Sequence, residues 1–196
     1  MGQNKLYPIF LKLENLQTLL VGAGVVGLEK LNALLKNSPA AKVNIIAEHV
    51  CEEIMEIAGD NDNIKILKRK FFFSDLEGND LLILAANDRA LHERIKLLAR
   101  KRRILTNVAD TPDLCDFYLG SVVQKGDLKI GISTNGKSPT FAKRFREYLE
   151  ESLPDSIQEL VDNLNAFRNN LKGDFQQKVN ALNELTSSFV LKKPIV

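Results

Sequence analysis

Cysteine is scarce in this chain: Cys51 and Cys115 are the two in 196 residues, far apart and outside any CxxC or metal-like spacing. That excludes a disulfide framework and makes a reducing, cytoplasmic setting the expectation. Histidine is equally rare, and His49 and His92 form no recognisable cluster with the cysteines, so no resident metal is expected. Surplus charge is missing as well. A net charge of +2 makes no electrostatic case for a nucleic-acid partner. The basic runs at 68–70 and 100–103 are short and read as solvated element ends. Long apolar runs are absent: the stretch 81–86 is far too short to cross a bilayer, so no membrane span is expected. Residues 1–8 carry Lys5 but no apolar h-region, which argues against a secretory signal. There is no internal repeat.

What is present is an alternation. Hydrophobic residues at 44% and charged residues at 27% fit a globular protein, with room for one full domain and a smaller one. Strands are expected at 18–21, 42–47, 64–67, 81–86 and 104–108. Helical spacing of Leu28, Leu31, Leu34 and Leu35, and of Leu91, Ile95, Leu97 and Leu98, marks intervening helices. A further helix is expected at 51–58. Strands alternating with helices predict βαβ units and a parallel Rossmann sheet. Residues 116–124 and 128–134 then read as two strands joined by Lys125-Gly126-Asp127, an antiparallel hairpin. Everything after Pro139 reads as helical, with one stripe at Phe141, Phe145, Tyr148 and Leu149 and another at Leu160, Leu164 and Phe167. Structural cues fade from about Ser188. The expected domains are 1–112 (nucleotide binding), 113–150 (hairpin and helix, substrate and dimerisation) and 151–196 (helical).

The strongest motif is Gly22-Ala23-Gly24-Val25-Val26-Gly27, a GxGxxG between an expected strand and an expected helix. Gly22 permits the tight turn, Gly24 leaves room for a pyrophosphate, and Gly27 lets the helix pack close to the strand. Free N–H groups at the helix start would face the phosphates. Glu48 is the acid nearest the end of the second strand, where a ribose-binding carboxylate belongs. A plain loop acid is the competing reading. Apart from His49, no basic residue is evident there for a 2′-phosphate, which favours NAD over NADP. Ala85, Ala86, Asn87 and Asp88 end the fourth strand, where small residues let a cofactor cross the crevice; Asn87 and Asp88 equally suit a helix N-cap.

Two further segments carry candidate chemistry. Asp110 runs off the fifth strand, where a carboxylate can move a proton, or simply organise the turn before Pro112. The segment Asn135-Gly136-Lys137-Ser138-Pro139 reads as a helix start, with Ser138 at the cap and Pro139 first in the helix. Its N–H groups and Lys137 suit an anion such as a carboxylate, and an ordinary capped helix is the alternative. Arg144, with Lys143 and Arg146, would extend such a site or be solvated. His92 reads as a surface or satisfied side chain rather than a base.

Taken in order, Tyr7 to Leu11, Val21 to Lys30, Ala85 to Asp88, Asn107 to Asp110, Leu114 to Phe117 and Ile132 to Pro139 resemble the precorrin-2 dehydrogenase family, which includes the N-terminal part of multifunctional siroheme synthase. The resemblance spans about residues 5–155. It implies a homodimer that oxidises precorrin-2, a tetrapyrrole polycarboxylate, to sirohydrochlorin with NAD. Some members also insert ferrous iron. The family's essential aspartate falls on Asp110 and its substrate-side serine, phosphorylated in some members, on Ser138. Its cofactor contacts fall on Gly22, Ala23, Gly24, Val25, Val26, the end of the second strand, Ala86, Asn87 and Asp88. For a polycarboxylate, Asn135, Gly136, Lys137, Ser138 and Arg144 are the expected anchors. The chain departs from the family at Gly27, where alanine often stands, a departure expected to be harmless, and at Gly120, where proline often stands. Residues 154–196 have no firm counterpart and are too few for the methyltransferase module, so precorrin-2 is expected from another chain. Two other readings compete: a chelatase with little dehydrogenase activity, and an NAD-binding regulatory domain without turnover.

Overall fold

In the computed structural model, residues 3–187 are described. By packing, the chain divides into two compact units. The first runs through Gly120 and includes Ser133–Pro139; the second comprises Ser121–Ile132 and the chain from Thr140 on.

The first unit is a parallel sheet with helices on its faces. Its elements are β1 (Gln17–Ala23), α1 (Val25–Asn37), β2 (Lys42–Val50), α2 (Glu52–Gly59), β3 (Ile64–Lys68), β4 (Leu81–Leu84), α3 (Arg89–Lys101) and β5 (Leu105–Val108). The strand order is β3-β2-β1-β4-β5, all parallel. The expected Rossmann architecture is therefore present. Side chains alternate across the sheet, as a two-residue period requires. Leu20, Ile45 and Ile83 join Leu31, Leu34 and Ile54 in one core layer. Leu19, Val21, Leu82 and Leu84 join Leu76, Ile95 and Ala99 in the other. All four residues of β4 are buried, which is why its sequence is uniformly apolar.

Three details depart from the sequence reading. β2 runs on to Val50 because its register against β1 shifts after Val21, pairing Ala23 with Val50. Glu48 thus lies within the strand. On α3 the buried stripe is His92, Ile95 and Ala99, and Leu97 is exposed. His92 is therefore neither a surface nor a satisfied side chain: it is buried and its Nε2 has no partner. Burial lowers its pKa from the usual 6.5, opposed by the nearby Asp88 charge.

In the second unit, β6 (Ser121–Lys125) and β7 (Leu128–Ile132) form the antiparallel hairpin, turning at Gly126 with φ 58°. The sixth strand begins later than expected because residues 115–117 are drawn to β5 instead. α4 (Pro139–Ser152), α5 (Ile157–Asn170) and α6 (Phe175–Leu185) complete the described chain. Lys125 pairs with Asp155 at 2.6 Å, and the Gln158 side chain accepts the Asp127 N–H at 2.6 Å, tying the hairpin to the start of α5. The expected aromatic stripe of α4 is a stacked ladder on an exposed face: Phe141, Phe145 and Tyr148 lie at centroid spacings of 5.8 and 6.2 Å. Among the described residues, no helix is long and apolar enough to cross a membrane.

Candidate functional site

The chain leaves β1 to form β2 and β3 on one side, then returns to place β4 and β5 on the other. The carboxyl ends of β1 and β4 therefore flank the point where strand order reverses, which is where open α/β sheets bind ligands. The glycine turn stands at that point. Gly22 has φ 101°, and a Cβ there would meet the backbone of Ala85 and Ala86 at 2.7–2.8 Å. A Cβ on Gly27 would lie 2.3 Å from the Gly22 carbonyl oxygen. In this chain an alanine at Gly27 would force the β1–α1 turn to open. Gly24 differs, since a Cβ there would meet nothing within 4 Å. As the N-cap of α1 it offers no side chain to the first-turn N–H groups. Close backbone packing behind the turn, open space over Gly24 and uncapped donors at Val25 and Val26 fit a pyrophosphate.

The flanking candidates fall on the same edge. Ala85 N–H donates to Val21 O at 2.8 Å and Ala109 N–H to Leu84 O at 2.9 Å, carrying the ladder past the strand ends. Ala86 is half-buried and Asn87 exposed. Asp88 caps α3, its carboxylate accepting the Leu91 N–H at 2.9 Å. Glu48 is exposed at the end of β2. Lys70, just past β3, approaches it at 3.9 Å, a basic neighbour that sequence reasoning missed because the two are distant in the chain.

Asp110 lies two residues beyond β5, exposed and with φ 55°, a left-handed conformation that aspartate tolerates better than most residues. Its carboxylate has no hydrogen-bond or ion-pair partner among the described residues. The loop around it is held firmly. Asp116 N–H donates to Thr106 O at 2.7 Å, and Thr106 N–H donates to the Asp116 carboxylate at 2.9 Å. Lys96 pairs with the same carboxylate. Buried Asn107 donates to Phe117 O at 2.9 Å. Residues 115–117 thus cover the open edge of β5. Arg89 pairs with Asp113 at 2.9 Å, fastening the loop to α3. The Cys115 thiol lies inside this web, and burial pushes its pKa up, against the hydrogen bond from Val108. It is a protonated structural thiol at neutral pH. Its position near Asp110, five residues on in the chain, was the available signal.

The Ser133–Pro139 segment is also ordered by its own side chains. Asn135 and Gly136 have φ 54° and 74°, and Lys137 N–H closes the turn on Thr134 O at 3.1 Å. Ser138 N–H donates to Thr134 Oγ1 at 3.1 Å, and Pro139 opens α4 as expected. The Lys137 ammonium has no partner among the described residues. Arg144, in the second unit, is engaged by Glu147 at 2.8 Å, and this guanidinium lowers the Glu147 pKa. Among the described residues, no group of three or more acidic, histidine or cysteine side chains could hold a metal ion.

A family model described as NAD(P)-binding matches residues 9–121, and one described as sirohaem biosynthesis protein, central, matches 125–152. The chain is 34% identical over 170 residues to siroheme synthase of Vesicomyosocius okutanii, covering 87% of this chain and 36% of that protein. It is 38% identical over 154 residues to that of Methylococcus capsulatus, covering 79% of this chain and 32% of that protein. The chain thus spans about a third of the length of these relatives. A solved structure titled "SirC, precorrin-2 dehydrogenase" superposes with TM-score 0.74 at 24% identity, covering 95% of this chain and 94% of that one, and so shares the fold. The glycine turn falls within the first model, and β7 and α4 within the second, and the chain belongs to the NAD(P)-binding family whose model spans residues 9–121, followed by the sirohaem-biosynthesis central segment.

Proposed function

We propose that this chain oxidises precorrin-2 to sirohydrochlorin using NAD, with Asp110 as its proton-handling residue. The observation that carries the reading is the convergence of Gly22–Gly24, Ala85–Ala86 and Asp110 at the carboxyl ends of three adjacent strands. A bound nicotinamide cofactor supplies the two-electron acceptor; the protein orients the substrate and handles the proton. The Val25 and Val26 N–H groups and open Gly24 hold the phosphates. Ala86 and Asn87 leave room for the cofactor to cross the crevice. The unpaired Asp110 carboxylate accepts the proton released on dehydrogenation. Asn135, Gly136, Lys137 and Ser138 are the anchors we assign to the substrate's carboxylates, and we assign Arg144 separately, as a carboxylate-binding residue of the second unit.

NAD rather than NADP rests on Glu48, which accepts hydrogen bonds from a free ribose hydroxyl and repels a 2′-phosphate. Lys70 opposes this preference, so Lys70→Ala is expected to sharpen discrimination in nucleotide titrations, and Glu48→Ala to erode it. Ferrous iron would enter as a second substrate, with Asp110 taking pyrrole protons. We assign nucleotide binding to residues 1–112, substrate and dimer contacts to 113–150, and a supporting helical role to 151–196. A homodimer is supported by the exposed aromatic ladder of α4.

The test is anaerobic turnover of precorrin-2 with NAD, followed by sirohydrochlorin absorbance, with Asp110→Ala in parallel. NAD-dependent turnover that falls on the order of 100- to 10,000-fold in the variant supports the reading. NAD binding without turnover overturns it in favour of a regulatory domain. Iron insertion without turnover favours the chelatase.

A further inference from the structure

In the Asp110 loop the Cys115 thiol makes contacts on both sides of the aspartate, beside the backbone bond by which the Thr111 N–H closes the turn on Val108 O at 3.3 Å. Cys115 Sγ accepts the Val108 N–H at 3.2 Å. The thiol also lies 3.3 Å from Val108 O and 3.4 Å from Thr111 O, and its single proton serves one of these carbonyls at a time. The Asn107 side-chain amide N–H donates toward the sulfur at 3.7 Å. Val108 is the last residue of β5, and Thr111 is the residue after Asp110. The sulfur therefore joins the chain where it leaves the sheet to the chain where it emerges from the left-handed residue.

This geometry has a reason. β5 is an edge strand, so the Val108 N–H has no neighbouring strand on its outer side and needs another acceptor. A side chain that both accepts and donates satisfies that amide and holds a second backbone group as well. The Asp110 carboxylate has no partner among the described residues, so its turn is held by the Thr111 N–H on Val108 O at 3.3 Å, by Thr111 Oγ1 on Ala109 O at 3.1 Å and by the thiol.

We propose that Cys115 is a positioning residue for Asp110: its thiol reinforces the Val108–Thr111 turn from behind and so holds the left-handed residue that presents the Asp110 carboxylate at the carboxyl edge of the sheet. Its effect on rate rests on the function proposed above for Asp110. The reinforcement itself stands on the loop geometry.

Cys115→Ala removes the thiol's contacts, and Cys115→Ser keeps a donor and acceptor on a shorter arm. Crystal structures of both variants and the wild-type chain are compared, with steady-state kinetics on precorrin-2, NAD affinity and thermal midpoints. The expected result is that Asp110 leaves positive φ in Cys115→Ala and kcat falls about 10- to 100-fold, the scale of a misplaced catalytic group. NAD affinity should stay within about twofold, and serine should restore most of kcat. Asp110 unmoved in Cys115→Ala overturns the proposal, as does an unchanged kcat. So does a parallel loss of NAD affinity and stability that serine does not repair, which would make the thiol a general structural group. If the wild-type chain fails to turn over precorrin-2, the functional reading falls, while the position of Asp110 in the crystals still decides the role of the thiol.

Discussion

The two units of this chain solve the problem of burial differently. The sheet unit carries its own core on both faces: Leu20, Ile45 and Ile83 on one, Leu19, Leu82 and Leu84 on the other, all at most 1% exposed. In the second unit only Val123 and Ala142 are buried apolar residues among those described, while Phe141, Phe145, Tyr148 and Phe175 stand exposed. A parallel sheet covered by helices encloses apolar area by itself. A two-stranded hairpin with three helices leaves apolar faces open. The nucleotide-binding motif sits on the self-sufficient unit, where backbone positions are rigidly determined. The exposed aromatic face sits on the other, which is why we assign the second copy to it.

The glycine turn offers the sharpest test of that rigidity. Gly22→Ala forces a side chain onto a left-handed residue against the Ala85–Ala86 backbone, so the sheet unit is expected to lose about 2–4 kcal/mol in denaturant melts. Gly24→Ala meets only open space and has φ −89°, so stability should change by less than about 0.5 kcal/mol. Nucleotide affinity should nevertheless fall about tenfold or more, because the new methyl occupies the space assigned to the pyrophosphate. A Gly24→Ala protein that binds NAD as well as wild type would remove the phosphate from this turn.

For the second unit the corresponding break is Phe145→Asp, in the middle of the aromatic ladder. A charge within the proposed dimer interface is expected to weaken association by about 2 kcal/mol or more, roughly 30-fold, in sedimentation equilibrium. Amide exchange should quicken in the hairpin and α4 and stay unchanged in β1 and β4. Exchange that quickens equally in both units would mean that the sheet does not stand by itself.

Much of the sheet unit was legible because its signals are local. Apolar runs ending in glycine, and leucines at helical spacing, need no knowledge of the rest of the chain. The glycine motif was legible for the same reason. What escaped depends on contacts between distant segments. Leu97 has the composition of a core residue, but the direction of α3 over the sheet buries His92 and Ala99 instead. Residues 115–117 alternate like a strand, yet Asp116 bonds Thr106 and draws them to the edge of β5. The neighbourhood of Glu48 and Lys70, and the cost of a methyl on Gly27, likewise exist only once the chain is folded. Asp110 was singled out by its place after a strand; its left-handed conformation, with Cys115 behind it, is a property of the loop.

The smallest expected effect separates the units by pH. Both histidines of the chain, His49 and His92, belong to the sheet unit. His92 is buried, with Nε2 unpartnered, and burial lowers its pKa below the ordinary 6.5. The unfolded chain therefore takes up its proton more readily than the folded one. Stability is then greatest above about pH 6.5 and declines as pH falls below it, with a slope of at most about 1.4 kcal/mol per pH unit. In the second unit the lowered groups are the carboxylates Glu147 and Asp155, held down by hydrogen bonds from Arg144 and Lys125. Their contribution is present above the ordinary carboxylate range and is lost only as pH falls through it toward their lowered values. Acidification from pH 7 should thus loosen amides of the sheet first, as pH falls below about 6.5, and those of the hairpin and α4 only at lower pH. His92→Gln, which cannot take up the proton, is expected to flatten the first phase and leave the second in place. A first phase that persists in this variant would assign it to another group and leave the buried imidazole without a part in the difference between the units.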